Sequence, residues 1–291
     1  MSSSTIFPCF IGPISPNDPR QQSYYNPRVC TVRCGSSHSA QIPKEEGVEE
    51  HYYSRNSRHF WDRFYKRHKN KFFKDRHYLE KDWGKYFCDS NDASGAESSI
   101  RKVVLEVGCG TGNTLFPLVA AYPNVFVHAC DFSSEAVRLV KLHSGFKDER
   151  IDVFVCDIAK DDLCNWIRPS SVDVVTMIFM LSAVSPNKMP QVLQNLKTIL
   201  KPNGHILLRD YALGDSAQVK LQRRNQIIDE NFCFRGDGTC SFYFSEDFLT
   251  SLFVGAGFKI VDINTYCRQI ENRSKNVTMS RHWVRAVFNH V

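Results

Sequence analysis

The chain lacks any run of about 20 uncharged apolar residues, the length a membrane helix needs. Its longest apolar stretch, Val172 to Val184, is interrupted by Asp173, so a membrane-spanning helix is not expected. It also lacks a Cys-x-x-Cys pair, although it holds 11 cysteines. An odd, scattered set argues against a zinc knuckle or a disulfide scaffold and for a reducing compartment. The ten histidines show no ligand spacing; His59 and His68, nine apart, would not share a helix face. No metal site is expected.

Acids are scarce in two places. Residues 1–43 hold one acid, Asp18, and no lysine, against eight serines, six prolines and three arginines. No apolar period persists there, so the segment reads as a disordered tail. Serine-rich, arginine-bearing, acid-poor composition is that of an organellar transit peptide, with Val29 to Cys34 as the region for cleavage. The expectation is a plastid or mitochondrial address; a plain tail would leave the protein in cytoplasm or nucleus.

The second acid-poor segment runs from Arg55 to His77. It carries nine Lys/Arg against Asp62 and Asp75, so 9 − 2 = +7, whereas the whole chain is +6 and the remainder sums to −1. Such a concentrated charge calls for a polyanion partner. Phe60, Trp61, Phe64 and Tyr65 recur at helical spacing and put an aromatic stripe on the same segment, read as helix and loop over 55–88. A polar linker, Asp89 to Ser99, follows.

With 291 residues, 42% of them hydrophobic, the chain can bury a sizeable core. From 102 onward strand-like and helix-like segments alternate, which predicts a doubly wound α/β domain over 102–291. Strands are expected at Val103–Val107, Val125–Cys130, Asp152–Cys156, Val172–Phe179 and His205–Leu208, with Lys201 to Gly204 as a turn before the last. Residues 215–244 break the alternation as an insertion. A helix near Glu246–Ala256 and a hairpin, Phe258–Gln269 with Ser280–Phe288, close the sheet with an antiparallel edge.

Between the first strand and its helix stands Glu106-x-Gly108-x-Gly110-x-Gly112. A glycine-rich turn there lets the backbone approach a ligand closely at a helix N-terminus. The third glycine comes one residue too early for the dinucleotide fingerprint and Asn113 takes its place, which disfavours a pyrophosphate cofactor. Asp131 ends the second strand, where an acid can bind both ribose hydroxyls, and Asp157 ends the third, within reach of an adenine amino group. These pieces resemble the class I S-adenosylmethionine-dependent methyltransferases, which implies that fold and that cofactor.

Cytosine-C5 transfer needs a cysteine nucleophile, usually after proline, and Pro8-Cys9 inside the tail is the sole such pair. The Asn/Asp-Pro-Pro-aromatic motif of exocyclic-amine enzymes is replaced by Ile178-Phe179-Met180-Leu181. Phe60-Trp61-Asp62-x-Phe64-Tyr65-Lys66-Arg67, Asn70 to His77, Leu105 to Asn113, Cys130-Asp131-Phe132-Ser133, Leu181 to Val184, Arg209-Asp210-Tyr211 and Glu230 to Thr239 together resemble the tRNA N3-methylcytidine methyltransferases, the family of methyltransferase-like proteins 2, 6 and 8. The match runs from about Phe60 to Phe288. Asn203 and Ala212 depart from it, each standing where that family has glycine.

The resemblance implies methylation of cytosine N3 in a tRNA anticodon loop. It implies Trp61 and Tyr65 as a lid on the cofactor, with Gly108, Gly110, Gly112, Asp131, Asp157, Ile158 and Ile178 contacting it from the core. Asp210 is expected as the carboxylate beside the reacting ring, and Arg76 as the group holding the flipped nucleotide. Lys66, Arg67, Lys71, Phe73, Lys74, Arg209 and Arg235 are expected on the RNA. Some members of the family depend on a protein partner such as an aminoacyl-tRNA synthetase, which the sequence leaves open. Two other functions also stay open: a small-molecule or protein methyltransferase, and a non-catalytic RNA-binding subunit on the same fold.

Overall fold

The computed structural model describes residues 48–88, 101–272 and 276–291. The N-terminal tail, its cleavage region and the Asp89–Ser99 linker lie outside them. Helices α1 (Val48–His68) and α2 (Leu79–Phe87) precede the sheet. There follow β1 (Lys102–Val107), α3 (Leu115–Ala121), β2 (Val125–Asp131), α4 (Ser134–Lys141), β3 (Ile151–Val155), β4 (Val172–Ile178), α5 (Met189–Ile199) and β5 (Leu200–Tyr211). The chain then forms α6 (Ser216–Arg223), β6 (Ile227–Asp229), β7 (Phe232–Phe234), β8 (Cys240–Phe242), α7 (Glu246–Gly255), β9 (Phe258–Asn272) and β10 (Val277–His290).

Seven strands form one sheet in the order β3-β2-β1-β4-β5-β10-β9, parallel from β3 to β5 and antiparallel through the β9–β10 hairpin. This is the doubly wound architecture with an antiparallel edge. Side chains alternate across the strands. Leu105, Val107, Val175, Met177, Ile206 and Leu208 pack on one face with α5 and α7; Val104, Val125, Val127, Val174 and Leu207 pack on the other with α2, α3 and α4. Both faces are apolar because both are covered, as a parallel sheet requires.

One feature differs from expectation and another adds to it. Lys201 to Gly204 is not a turn outside the sheet but a bulge within β5: Val172 pairs with Leu200 and Val174 with His205, and Asn203 takes φ +63 to make the detour. The 215–244 insertion carries structure of its own, α6 and a small antiparallel sheet β6-β7-β8. Its tight hydrogen-bonded turn, Arg235 to Thr239, packs Gly238 under the Phe60 ring of α1.

Candidate active site

The loops after β1, β2, β3 and β4 converge at the C-terminal end of the sheet. Gly108 and Gly110 have φ of +66 and +54, and a Cβ at either would collide: at 2.2 Å with Met180 Cγ and at 2.8 Å with the Tyr65 hydroxyl. The backbone there is shaped for contact on both sides. Asp131 fastens this loop to the next. One carboxylate oxygen accepts the Gly110 N–H and the other the Ser133 N–H, both at 2.9 Å. Each oxygen retains a further lone pair for a ligand. Burial pushes the Asp131 carboxyl up to about 6.

Helix α1 lies across these loops. Glu50 accepts hydrogen bonds from Ser185 and Asn187, Lys188 bonds Ser54, Asp62 bonds Ser133, and Arg63 donates to the Asp237 carbonyl. Phe60, Phe64 and Tyr65 are buried, and Trp61 stacks on Tyr65 with centroids 5.8 Å apart. The stripe is therefore both a packing face and a cavity wall. Beneath it opens a chamber of about 380 Å³, into which Trp61, Tyr65, Gly108, Asp131, Asp157 and Ile158 face. The Trp61 indole N–H is buried and has no acceptor among the described residues.

A second compartment adjoins the first and shares Trp61, Tyr65, Gly108 and Phe179 with it. Phe179 and Tyr211 form its aromatic wall, with centroids 5.0 Å apart. Arg76 lies 5.3 Å from the Phe179 ring and donates to Thr114 Oγ1 and the Ile178 carbonyl, each at 3.1 Å. Arg235 lies 5.8 Å from the Tyr211 ring and donates to the Cys240 carbonyl at 3.0 Å. Phe179 holds φ +55, a conformation uncommon for a bulky residue, where β4 ends.

The sequence-selected residues thus divide. Gly110, Ile178, Arg76, Phe73 and Arg235 line the second compartment. Lys66, Arg67, Lys71 and Lys74 are exposed along and just beyond α1. Four placements need correction. Gly112 lines neither cavity; its φ of +86 and a hypothetical Cβ 2.3 Å from the Phe116 ring make it a packing glycine. Asp210 is fully buried behind the Leu181–Ala183 turn, with its oxygens on the N–H groups of Ser182 and Tyr211, both at 2.9 Å. It therefore shapes the wall instead of touching a ring.

Arg209, expected on the tRNA backbone, is caged. It bonds Asp82 at 3.1 Å and lies 3.9 Å from the Tyr78 ring, with Tyr266 and Trp283 beyond. Arg235 likewise points inward, not along the surface. Sequence reasoning missed Phe179 and Tyr211 as walls and Asp62 as an anchor. It noted Asn113 without a role: its amide donates to the Phe73 carbonyl and Asp75, and its carbonyl accepts the Arg76 N–H at 2.8 Å. That side chain and backbone hold the segment that presents Arg76.

A doubly wound sheet with two acids at successive strand ends beside a glycine-rich turn defines a class I methyltransferase. A methyltransferase-domain family model matches residues 105–206. Among solved structures, an S-adenosylmethionine-dependent methyltransferase from Anabaena variabilis superposes with TM-score 0.58 at 14% identity, covering 80% of this chain and 95% of that one. Another from Methanosarcina mazei gives TM-score 0.53 at 19% identity, over 66% and 94%. The curated relatives are more specific. The Schizosaccharomyces pombe tRNA N(3)-methylcytidine methyltransferase trm141 is 37% identical, covering 81% of this chain and 93% of its own. Human tRNA N(3)-cytidine methyltransferase METTL6 is 43% identical over 78% of each chain. METTL2 of Xenopus tropicalis is 37% identical over 85% and 81%. The chain belongs to the tRNA N(3)-cytidine methyltransferase family.

Proposed function

We propose that the protein transfers a methyl group from S-adenosylmethionine to cytidine N3 in a tRNA anticodon loop. The observation that carries the reading is the pair of adjoining chambers meeting at Tyr65, Gly108 and Phe179. The first fits the cofactor: Asp131 keeps lone pairs for a ribose diol, Asp157 and Ile158 stand at the next strand end, and the Trp61 N–H awaits an acceptor. When bound, the cofactor supplies an activated methyl group, so the protein's task is alignment.

The second chamber, about 70 Å³ as its side chains stand, carries the aromatic and cationic groups that suit a flipped pyrimidine, and those side chains part to admit the ring. Neutral cytosine N3 presents an in-plane lone pair, so no base is required to remove a proton first. Methylation leaves the ring cationic, and the faces of Phe179 and Tyr211 accommodate a cationic ring. Arg76 and Arg235 supply donors for base oxygen or phosphate. Asp210 acts at one remove by fixing the Ser182 turn that borders the chamber. Lys66, Arg67, Lys71 and Lys74 give affinity through phosphates, which carry little sequence choice.

The test is transfer of labelled methyl to unmodified tRNA, digested to nucleosides and read by mass spectrometry, for wild type, Arg76→Ala and Asp210→Ala. N3-methylcytidine from wild type and its loss in Arg76→Ala support the reading. Product restored only by cell extract assigns a protein partner, such as an aminoacyl-tRNA synthetase. Silence with extract overturns the tRNA reading. The organellar address of residues 1–43 is a separate proposal, and a diffuse cytosolic signal from residues 1–50 fused to a fluorescent protein would overturn it.

A further inference from the structure

The cofactor chamber is walled by buried groups at its base and by cations at its rim. Val107, Gly108, Cys130, Asp131, Cys156 and Ile158 are buried or nearly so. The same lining also holds Arg55 and Arg58 from α1, Lys160 after β3, and Lys188 just ahead of α5. Arg55, Arg58 and Lys160 are exposed. Two acids, Asp157 and Asp161, also line the chamber. Asp157 pairs with Lys160 at 3.0 Å, leaving the lysine side chain 64% exposed, and an Asp161 oxygen accepts the Asp157 N–H. Lys188 donates to Ser54 on α1. Arg55 and Arg58, three residues apart and so on one helix face, form no ion pair or hydrogen bond among the described residues.

This rim is not needed to build the chamber floor, and two unpaired arginines at a cavity mouth are suited to planar recognition of phosphate oxygens. Its position along α1 says whose phosphates. Phe64 and Tyr65, further along the same helix, border the second chamber. At 1.5 Å per residue, Arg58 and Arg55 lie about 9–15 Å back along the axis. That distance is within the span of nucleotides flanking one inserted in the second chamber. The helix would thus present its cations to one continuous strand.

We propose that Arg55, Arg58, Lys160 and Lys188 form a phosphate-binding rim on which the RNA backbone lies across the mouth of the cofactor chamber, so that bound tRNA retards cofactor exchange. The inference rests on the tRNA reading above and adds an order to it: cofactor enters first and its demethylated product leaves after the RNA. Lys66, Arg67, Lys71 and Lys74 would set how tightly the RNA binds, whereas the rim would set whether the chamber is closed.

The test is the dissociation rate of labelled S-adenosylhomocysteine from the full chain, with and without saturating unmodified tRNA, in wild type and in Arg55→Ala/Arg58→Ala. The rim predicts that tRNA slows release about fivefold or more in wild type, that the slowing fades as salt rises, and that the variant retains less than about half of it. Inorganic phosphate at equal phosphate concentration should not reproduce the effect; if it does, the rim is a free-anion site and the RNA assignment is overturned. Equal release with and without tRNA, from enzyme that forms N3-methylcytidine, overturns the inference alone. Equal slowing in wild type and variant places the closure elsewhere and also overturns it. An enzyme that neither binds nor methylates tRNA removes the underlying reading instead.

Discussion

Asp62 and Ser133 meet at 2.5 Å: the serine hydroxyl donates to a carboxylate oxygen on α1 that also accepts the Glu135 N–H. Ser133 is itself the cap of α4, and its backbone N–H binds Asp131. One residue thus joins the helix carrying Trp61 and Tyr65 to the acid on the opposite wall. A hydrogen bond to a charged group contributes about 1.5–3 kcal/mol. Asp62→Ala should weaken S-adenosylhomocysteine binding roughly tenfold by calorimetry. Asp62→Asn, which keeps the accepting oxygen, should lose far less. Adding Ser133→Ala to Asp62→Ala should weaken binding little further, although it lowers the melting temperature through loss of the α4 cap; full additivity in binding would mean the two side chains act independently.

Glu106 is 2% exposed, and burial lifts its carboxyl to about 8, with Arg76 pulling it partly back. An acid with a raised folded pKa favours folding below its unfolded value near 4.3 and loses that contribution as pH climbs through the folded value. Glu106→Gln should therefore melt at least roughly 3–5 °C above wild type at pH 9 and close to it at pH 4, with an intermediate gap between. The same gap at both pH values would show that the side chain does not change protonation in that window.

Asp131 titrates lower, at about 6, for the same reason. In the proposed reading its carboxylate would offer acceptors to the ribose hydroxyls above that pH and lose one when protonated. Cofactor affinity of the wild type should be flat from pH 8 to 7 and fall severalfold by pH 5.5. Asp131→Asn should bind weakly with little pH dependence over the same range.

Gly108 and Gly112 should separate by role. Gly108→Ala places a methyl against Met180 on a positive-φ backbone and should abolish cofactor binding while the chain stays folded. Gly112→Ala meets the Phe116 ring and should lower the melting temperature first. Identical profiles by calorimetry and thermal melting would contradict the division.

For Arg209 the expectation is stability, not RNA affinity. Its guanidinium is 12% exposed, bonded to Asp82 and enclosed by three rings; Asp82 also takes Arg285 at 3.4 Å. Arg209→Ala should lower the melting temperature by roughly 5 °C or more. The salt dependence of tRNA binding should keep its slope, because no phosphate contact is lost. A slope reduced by about one ion would put Arg209 on the RNA after all.

Much of the scaffold is legible in the sequence because it follows from local rules. Five parallel strands declare themselves through apolar runs bounded by Gly, Asp and Ser, and the glycine turn with Asp131 and Asp157 falls at strand ends by counting. What the sequence hides is direction and long-range pairing. Arg209 and Arg235 look like surface cations in a basic chain, and only the approach of Tyr78 and Asp82 to one, and of Tyr211 to the other, turns them inward. Asp210 stands at a strand end as Asp131 does, yet the Leu181–Ala183 turn covers it. Phe179 reads as the last apolar residue of a strand, and its positive φ cannot be inferred from its identity. The Lys201–Gly204 bulge looks like a turn because Pro-Asn-Gly has turn chemistry, which a wide bulge also uses.

The way α1 is fastened also bears on how the chain is made. It is the earliest element described, but its partners wait at Ser133, Ser185, Lys188 and finally Asp237, 174 residues from Arg63. Closing so long a loop is entropically costly until the sheet stands ready to receive the helix. A ribosome releasing this chain from its N-terminus holds a basic, aromatic helix with no surface to settle on until most of the protein has emerged. The earliest of the described helices therefore finds its full set of partners only near the end of synthesis, and the chamber it walls is complete only once it has docked.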